Sequence, residues 1–369
     1  MDFLWGHPRH TPTTDGDPVQ PAVPVPHPLR PGARVVVRHR LPPGSAPSLS
    51  DVVGIVSAVD DASVTLETTE GPVTVAREVV VAVREIPPRQ ERPGRPHRAV
   101  GVADLGRLMA QGWPAVESAE LGGWLLRASS GFTGRGNSLL PSGDPGLPLT
   151  DAVDQVERWY AARGLPPRVH LDLPRSGDDS APTGPAELGE PLALRTLVAA
   201  HPLGVELLGR GYQPVQPTLT MTGATAAVPP LRADAPPVEV DAALSADWLV
   251  AYARQRSILP GVTEQVLTGS PGQLFASTGA PGRLTAVARM SVHPGWAGLH
   301  AVWVDPLQRR QGLAVTLMSA LATLARDHAM TSMYLQVEAG NTAAQALYTG
   351  LGFSTHHAYV YLDPPAPRR

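Results

Sequence analysis

The alternation of apolar and polar residues changes along the chain and predicts where strands give way to helices. From Arg30 to Pro87, five short β-branched runs alternate apolar and polar positions and are separated by turn residues. So many short strands in one region predict a small antiparallel β-barrel over residues 29–87. The flanking sequence differs. Residues 1–28 are proline-rich without periodicity, which predicts a disordered or extended leader, and Pro87–His97 predicts a linker.

Beyond the linker, one order of elements occurs twice. Leu347–Phe353 and Leu207–Tyr212 each combine the end of a helical pattern with a glycine-aromatic turn, and an alternating run follows each of them. Upstream of both copies, the spacing predicts further strands and helices in a similar order. We therefore expect two related halves of mixed α+β (α/β) structure, at 99–225 and 237–363.

The most informative segment begins the long helical pattern of the second half. The apolar run Val302–Val304 ends at Asp305-Pro306, and the turn RRQGLA leads into a helical pattern from Leu313. N–H groups in the first turn of a helix lack intrahelical partners and lie at the positive end of the helix dipole, so they stabilise phosphate oxygens. The glycine permits close approach and the arginines add charge, which together predict an anion site.

Two common nucleotide sites do not fit this segment. A P-loop needs a lysine after its last glycine, and the chain contains no lysine. A dinucleotide fingerprint needs three spaced glycines, and Gly312 stands alone in the turn. Neither class of nucleotide-binding protein is indicated.

The turn at Arg309–Ala314 resembles the R-x-x-G-x-A pyrophosphate loop of the GNAT superfamily of N-acyltransferases. Downstream, the segment Asn341–Phe353 resembles the second signature of that family, N-x-x-A-x-x-L-Y-x-x-x-G-F. The N-terminal strands resemble the Tudor-like barrel that precedes the acetyltransferase region in some actinobacterial members. The resemblance implies a small barrel followed by tandem GNAT folds. The first half has no equivalent of RRQGLA, so we expect it to be degenerate and not to bind acetyl-CoA.

The resemblance also implies a role for particular residues in transferring an acetyl group from acetyl-CoA to a primary amine. Backbone groups of Val302 and Val304 would pair with the pantetheine arm, Asn341 would bond that arm, and Tyr348 would protonate the departing thiolate. No metal is expected. The pyrophosphate would be held by the residues of the loop: Arg309, Arg310, Gln311, Gly312, Leu313 and Ala314.

The general base is the least defined part of this chemistry. Several family members have a glutamate within the fifth strand, but the matching position here is Gln336, which cannot accept a proton. Glu338 lies two residues further on the same face of the strand, and His300 has a side chain that titrates near neutral pH. These two residues, a water relay and the absence of any dedicated base remain the alternatives. A histidine pair, His356 and His357, also follows the last glycine-aromatic turn.

A polar loop in the first half, FTGRGNSLLPSGDPG, has two interpretations. Its Arg135, Asn137 and Asp144 could satisfy backbone groups of a turn-rich loop, or they could line the acceptor site and support the other half.

Composition narrows the class of protein. The net charge is −3, which does not indicate a nucleic-acid binder or an anionic-membrane binder, and cysteine is absent, which fits a cytoplasmic location. No signal-peptide pattern and no long apolar run is present, so we expect no membrane partner.

Three functions are compatible with these patterns. The first is an acetyl-CoA-dependent N-acetyltransferase acting on a small molecule or on a protein amino group. The second is a regulatory protein that binds acetyl-CoA without turnover. The third is an interaction protein that recruits a partner through its N-terminal barrel. The presence of Asn341 and Tyr348 favours the first over the second.

Overall fold

The structure is a computed structural model that describes residues 29–89, 94–173 and 188–366. The predicted leader at 1–28 lies outside the described residues, as does the middle of the predicted linker. Within the described residues, no single helix is long and apolar enough to cross a membrane, although two short helices, Pro191–Ala199 and Pro202–Gly209, pass that test jointly across a bend of 118°.

The N-terminal region forms one antiparallel sheet around a small apolar core. Its five strands have these bounds: β1 Arg34–Arg40, β2 Leu49–Val59, β3 Ser63–Thr68, β4 Gly71–Ala76 and β5 Val80–Glu85. Alternate side chains such as Val35, Val37, Val64 and Leu66 are fully buried against one another. The predicted five strands are therefore present, and their period-two pattern follows the buried face.

The prediction of a closed barrel is not confirmed. The strand order is β4-β3-β2-β1-β5, so β4 and β5 stand at opposite edges and do not pair with each other. Successive hairpins connect β1 to β4, and β5 returns to pair with β1. The alternation in the sequence shows which face of a strand is buried, but it carries no information on whether the two edge strands meet.

The region from residue 94 to residue 224 contains both helices and strands. Its elements are α1 Pro96–Ala99, α2 Val102–Gly112, β6 Glu117–Leu121, β7 Trp124–Ala128, β8 Leu140–Pro141, α3 Leu149–Ala161, β9 Val169–Asp172, α4 Pro191–Ala199, α5 Pro202–Gly209 and β10 Gln213–Ala224. Strands β6, β7 and β8 form a separate small antiparallel sheet.

The remaining chain builds most of the large sheet and the helices that cover it. Its elements are β11 Glu239–Asp241, α6 Ala246–Ala253, α7 Val262–Thr268, β12 Gln273–Ala280, β13 Arg283–His293, β14 Trp296–Val304, α8 Leu313–Asp327, β15 Ser332–Glu338, α9 Thr342–Gly350 and β16 Ser354–Asp363. Among them, β14, α8, β15, α9 and β16 correspond to elements that the sequence pattern predicts.

Strands from both halves alternate in the large sheet, whose order is β11-β12-β13-β14-β15-β10-β16-β9. Strand β10 of the first half lies between β15 and β16 of the second, and Leu219 is in register with Val337 on one side and Ala358 on the other. Strand β16 then pairs with β9 of the first half. The divisions at 99–225 and 237–363 stay a prediction, and the structure adds that the two segments share one continuous sheet.

The two faces of this sheet differ in chemistry. One face is apolar, with Leu219, Leu335 and Val360 packed in a core that also contains Leu317 and Leu321 of α8. Registers and strand alternation place polar side chains on the other face: Ser291, His300, Gln336, Thr220, His357 and Asp172. Because the polar face is also largely buried, the groups on it must bond to one another or face a cavity.

Candidate active site

The large sheet splits between its two central parallel strands. Strands β14 and β15 pair from Trp296 to Leu299 and then separate. At the same place β14 has a bulge, since Ala301 and Val302 lie opposite the single residue Ala288, and Ala301 has a positive φ of 53°. The edge of β14 beyond Leu299 is therefore free of β15 and can pair with an extended amide-containing ligand.

A cleft of about 320 Å³ opens at this split. Several residues that the sequence indicates for the site line it together: His300, Val302, Glu338, Asn341 and Tyr348. Val304 and the loop Arg309–Ala314 do not line it and lie further along the chain, beyond the free edge of β14. The structure thus brings the predicted catalytic residues into one cleft.

The predicted pyrophosphate loop ends at the start of α8. Gly312 is the N-cap residue, with φ 81°, and no side chain caps the helix. Arg309, Arg310 and Gln311 are exposed, and neither arginine forms an ion pair with a described residue. Leu313 turns its side chain into the core, so it can contribute only its backbone N–H. The first turn of α8 therefore keeps its N–H donors available to an anion, as expected.

Tyr348 lies on α9 with its ring against Phe353, at a centroid distance of 6.3 Å. Only 9% of its surface is exposed, yet its hydroxyl has no hydrogen-bond partner among the described residues. Burial raises the pKa of the Tyr348 phenol to about 12. The side chain therefore stays protonated at all physiological pH values and keeps a hydrogen to donate into the cleft.

Asn341 has a clear structural role at the start of α9. Its side-chain oxygen accepts a hydrogen bond from the N–H of Ala344 at 3.1 Å, which makes it the N-cap of the helix. The residue is exposed and also lines the cleft. The amide nitrogen is thus available to a ligand while the oxygen caps the helix.

The two candidate bases have different surroundings. His300 is 3% exposed, and its ring nitrogens contact Arg135 Nη1 at 3.4 Å and Ser291 Oγ at 3.1 Å. Burial, followed by the nearby cations Arg289 and Arg135, holds the pKa of His300 well below its usual range. Glu338, by contrast, is exposed at the end of β15 and lines the cleft. His300 is therefore neutral but engaged, whereas Glu338 is accessible.

The polar loop of the first half separates into three different roles. Arg135 enters the cleft, donates from Nη1 to Gln336 Oε1 at 2.8 Å, and stacks 4.4 Å from the Trp113 ring centroid. Asn137 is buried and ties its own loop together by bonding backbone groups such as Ser129 N and Phe132 O. Asp144 is exposed and bonds the backbone of its own turn. Asn137 and Asp144 thus satisfy backbone groups within the loop, whereas Arg135 contacts the other half of the chain, and its place in an acceptor site stays a prediction.

Neither of the paired histidines lines the cleft. His356 and His357 contact each other through their Nδ1 atoms at 2.8 Å, and His357 lies 3.3 Å from Asp172. Two tyrosines of the same strand, Tyr359 and Tyr361, do line it, although we did not single them out from the sequence. Their period-two spacing could have indicated that they share a face. The described residues contain no group of three or more histidines and carboxylates that could hold a metal ion.

Comparison with known proteins yields two family matches. A model described as "Probable histone acetyltransferase Rv0428c C-terminal" matches residues 101–176 and 207–362, which together make up more than half of the chain. A model described as the Rv0428c N-terminal Sm-like domain matches residues 29–84. The N-terminal sheet is thus similar to an Sm-like domain, where the sequence resemblance pointed to a Tudor-like one.

Individual relatives agree with these matches. The probable histone acetyltransferase Rv0428c of Mycobacterium tuberculosis is 37% identical over 137 residues, which cover 37% of this chain and 42% of that protein. The uncharacterized N-acetyltransferase YobR of Bacillus subtilis is 26% identical over 265 residues, covering 69% of this chain and 97% of that protein. The chain therefore spans less than half the length of the first relative and nearly all of the second.

Solved structures with similar coordinates include a GCN5-related N-acetyltransferase from Kribbella flavida. The two structures match with a TM-score of 0.48 and 18% sequence identity. The matched region covers 73% of this chain and 97% of the Kribbella chain. A tandem GNAT protein from the clavulanic acid biosynthesis pathway has a TM-score of 0.45 and 14% identity, with coverages of 76% and 91%.

Proposed function

This chain belongs to the Rv0428c family of acetyltransferases, and on that premise we propose that it transfers the acetyl group of acetyl-CoA to a primary amine. One observation carries the proposal: the free edge of β14, Asn341 and Tyr348 meet in one cleft, and β14 leads on to the uncapped N-terminus of α8. This arrangement suits a long ligand with a phosphate group at one end and an amide-rich arm.

Each part of acetyl-CoA has a partner in this proposal. The first-turn N–H groups of α8 and the exposed Arg309 and Arg310 hold the pyrophosphate. The free backbone of β14 around Val302 pairs with the amides of the pantetheine arm, and Asn341 bonds the same arm. A backbone N–H at the bulge polarises the thioester carbonyl, where negative charge develops.

The acetyl transfer itself proceeds by direct attack. The lone pair of the neutral amine forms a C–N bond with the thioester carbon, the C–S bond breaks, and its electron pair leaves on sulfur. Tyr348 donates its hydroxyl hydrogen to that sulfur, and the phenolate is reprotonated from solvent. The proton that the amine loses passes through water to Glu338. His300 is less suited to take it because both of its ring nitrogens are engaged.

The role of Glu338 can be tested by isosteric replacement. We expect Glu338→Gln to lower kcat/KM for the acceptor by about 10²-fold, which is typical of a lost general base. Steady-state measurement of CoA release would check this, with Glu239→Gln on the distant strand β11 as the matched control. An unchanged kcat/KM would assign the proton to a water relay without Glu338.

The phosphate site offers the direct test of the proposed function. Gly312→Glu is expected to weaken acetyl-CoA binding by more than about tenfold, because the new carboxylate repels phosphate and the positive φ strains a side chain. Calorimetry would measure the affinity, and release of free CoA with a panel of amines would measure turnover.

A matched control exists at Gly261, which is also a helix N-cap, with φ 78° and open space for a side chain. Gly261→Glu should bind acetyl-CoA as the wild type does. Binding without CoA release for any amine would favour the regulatory alternative. Equal affinities of the two variants for acetyl-CoA would show that the segment RRQGLA does not bind the pyrophosphate.

A further inference from the structure

The cleft contains a cation that has no carboxylate partner among the described residues. Arg135 reaches into it from the first half of the chain, and no carboxylate of residues 29–89, 94–173 or 188–366 lies within ion-pair distance of its guanidinium. A half-buried charge of this kind is costly unless something compensates it. A ligand that compensates the charge of Arg135 would be stabilised in the cleft, so this charge indicates which ligands the cleft binds.

The position of Arg135 is fixed by groups on three sides. Its Nη1 donates to Gln336 Oε1 at 2.8 Å and contacts His300 Nδ1 at 3.4 Å, and its guanidinium lies over the Trp113 ring. His300 and Gln336 are the first residues after β14 and β15 separate. Arg135 thus spans the split in the sheet, where the acyl group must meet the acceptor.

Part of the guanidinium remains available. All hydrogen bonds that Arg135 forms with described residues use Nη1, so Nε and Nη2 keep their hydrogens for a ligand. These two nitrogens form one side of the fork that matches a carboxylate or phosphate in bidentate geometry. A cationic group would be repelled from this donor pair, and a neutral carbonyl oxygen would gain a weaker hydrogen bond from it than an anion does.

The remaining charges of the cleft favour the same type of ligand. Arg256 also lines it and forms no ion pair with a described residue, whereas Glu338 is the one described carboxylate in the lining. The side chains around the split are therefore more positive than negative. A polycationic segment would meet two arginines there, and like charges at such distances repel.

Resting on the proposed function, we propose that the acceptor is a small primary amine that also carries an anionic group, and that Arg135 binds this group through Nε and Nη2. An amino acid or a phosphorylated amino alcohol has this chemistry. Arg135 then determines specificity, because it holds the anion beside the split while the amine faces the thioester carbon. A lysine within a basic protein tail is disfavoured.

The test compares ligands that differ only in their anionic group. Binding of phenylalanine and phenylalaninamide, and of O-phosphoethanolamine and ethanolamine, would be measured by calorimetry on the full chain saturated with CoA. We expect the anionic member of at least one pair to bind about tenfold or more tightly, as for a lost charge-assisted bidentate contact. A preference within the phenylalanine pair would indicate that Arg135 binds a carboxylate, and a preference within the ethanolamine pair would indicate that it binds a phosphate.

A variant separates recognition from structural damage. Arg135→Gln should abolish the preference by bringing the affinities of the two members together, whereas Arg283→Gln on the exposed end of β13 should preserve it. Damage to the cleft would weaken both members equally and leave their ratio unchanged. A wild-type protein that binds neither pair, or both members of each pair equally, would overturn the proposal.

Turnover distinguishes this proposal from the proposed function. CoA release with neutral or cationic amines but not with anionic ones would overturn the role of Arg135 and leave the acetyltransferase assignment intact. Selective binding of the anionic ligands without CoA release from any amine would support the role of Arg135 and overturn the acetyltransferase assignment.

Discussion

Removal of residues 1–230 is expected to abolish acetyl transfer and to leave a fragment without a stable fold. This truncation takes β10 from between β15 and β16, so both strands lose a hydrogen-bonded neighbour. It also removes Leu219 and Met221 from the core, and each such loss typically costs about 2–5 kcal/mol. Because whole domains are stable by only about 5–15 kcal/mol, these losses are sufficient to unfold the remainder.

The control is removal of residues 1–93, which takes away the predicted leader, the N-terminal sheet and most of the predicted linker. That sheet has its own core, and Gln111 Nε2 connects it to the rest by donating to Gly32 O at 2.6 Å. We expect the shorter truncation to keep CoA release on a small amine. Thermal unfolding by circular dichroism and CoA release would be measured on both. Full activity of the fragment 231–369 would contradict this expectation, because it would show that the large sheet folds without β10.

Tyr348→Phe is expected to lower kcat by a factor on the order of 10²–10⁴, the range typical of a lost general acid. The ring and its contact with Phe353 are retained, and the hydroxyl forms no hydrogen bond with a described residue, so neither the fold nor the affinity for acetyl-CoA should change. Since burial raises the pKa of Tyr348 to about 12, the wild-type kcat should not fall between pH 7 and pH 10 through loss of this proton.

A second tyrosine provides the comparison. Tyr212 is also buried, bonds Glu157 at 3.0 Å and does not line the cleft, so Tyr212→Phe removes a hydroxyl away from the proposed chemistry. We expect its kcat to be close to that of the wild type. Unchanged kcat in Tyr348→Phe would exclude this residue as the acid, and a parallel rise in the Kd for acetyl-CoA would indicate a binding role instead.

Local features of the chain were accessible from its sequence because they depend on neighbouring residues. The strand before the proposed phosphate loop and the glycine at the start of α8 both follow from short-range geometry and spacing.

Long-range features were not accessible in the same way. Nothing in the alternation of β10 shows that its neighbours are β15 and β16, because period-two burial is satisfied by any apolar partner. The contact of Arg135 with Gln336 likewise joins residues 201 positions apart and depends on how the loop folds over the sheet. The same limit explains why the edges of the N-terminal sheet were expected to meet.

The position of β10 also affects how the chain folds while it is being synthesised. A ribosome releases this strand well before β15 and β16, the two strands between which it lies. Pairing between segments so far apart in sequence slows folding, and the apolar residues of β10 stay exposed in the interval. The cleft can form only when the last strand has emerged, so an interrupted nascent chain has neither a finished sheet nor a complete cleft.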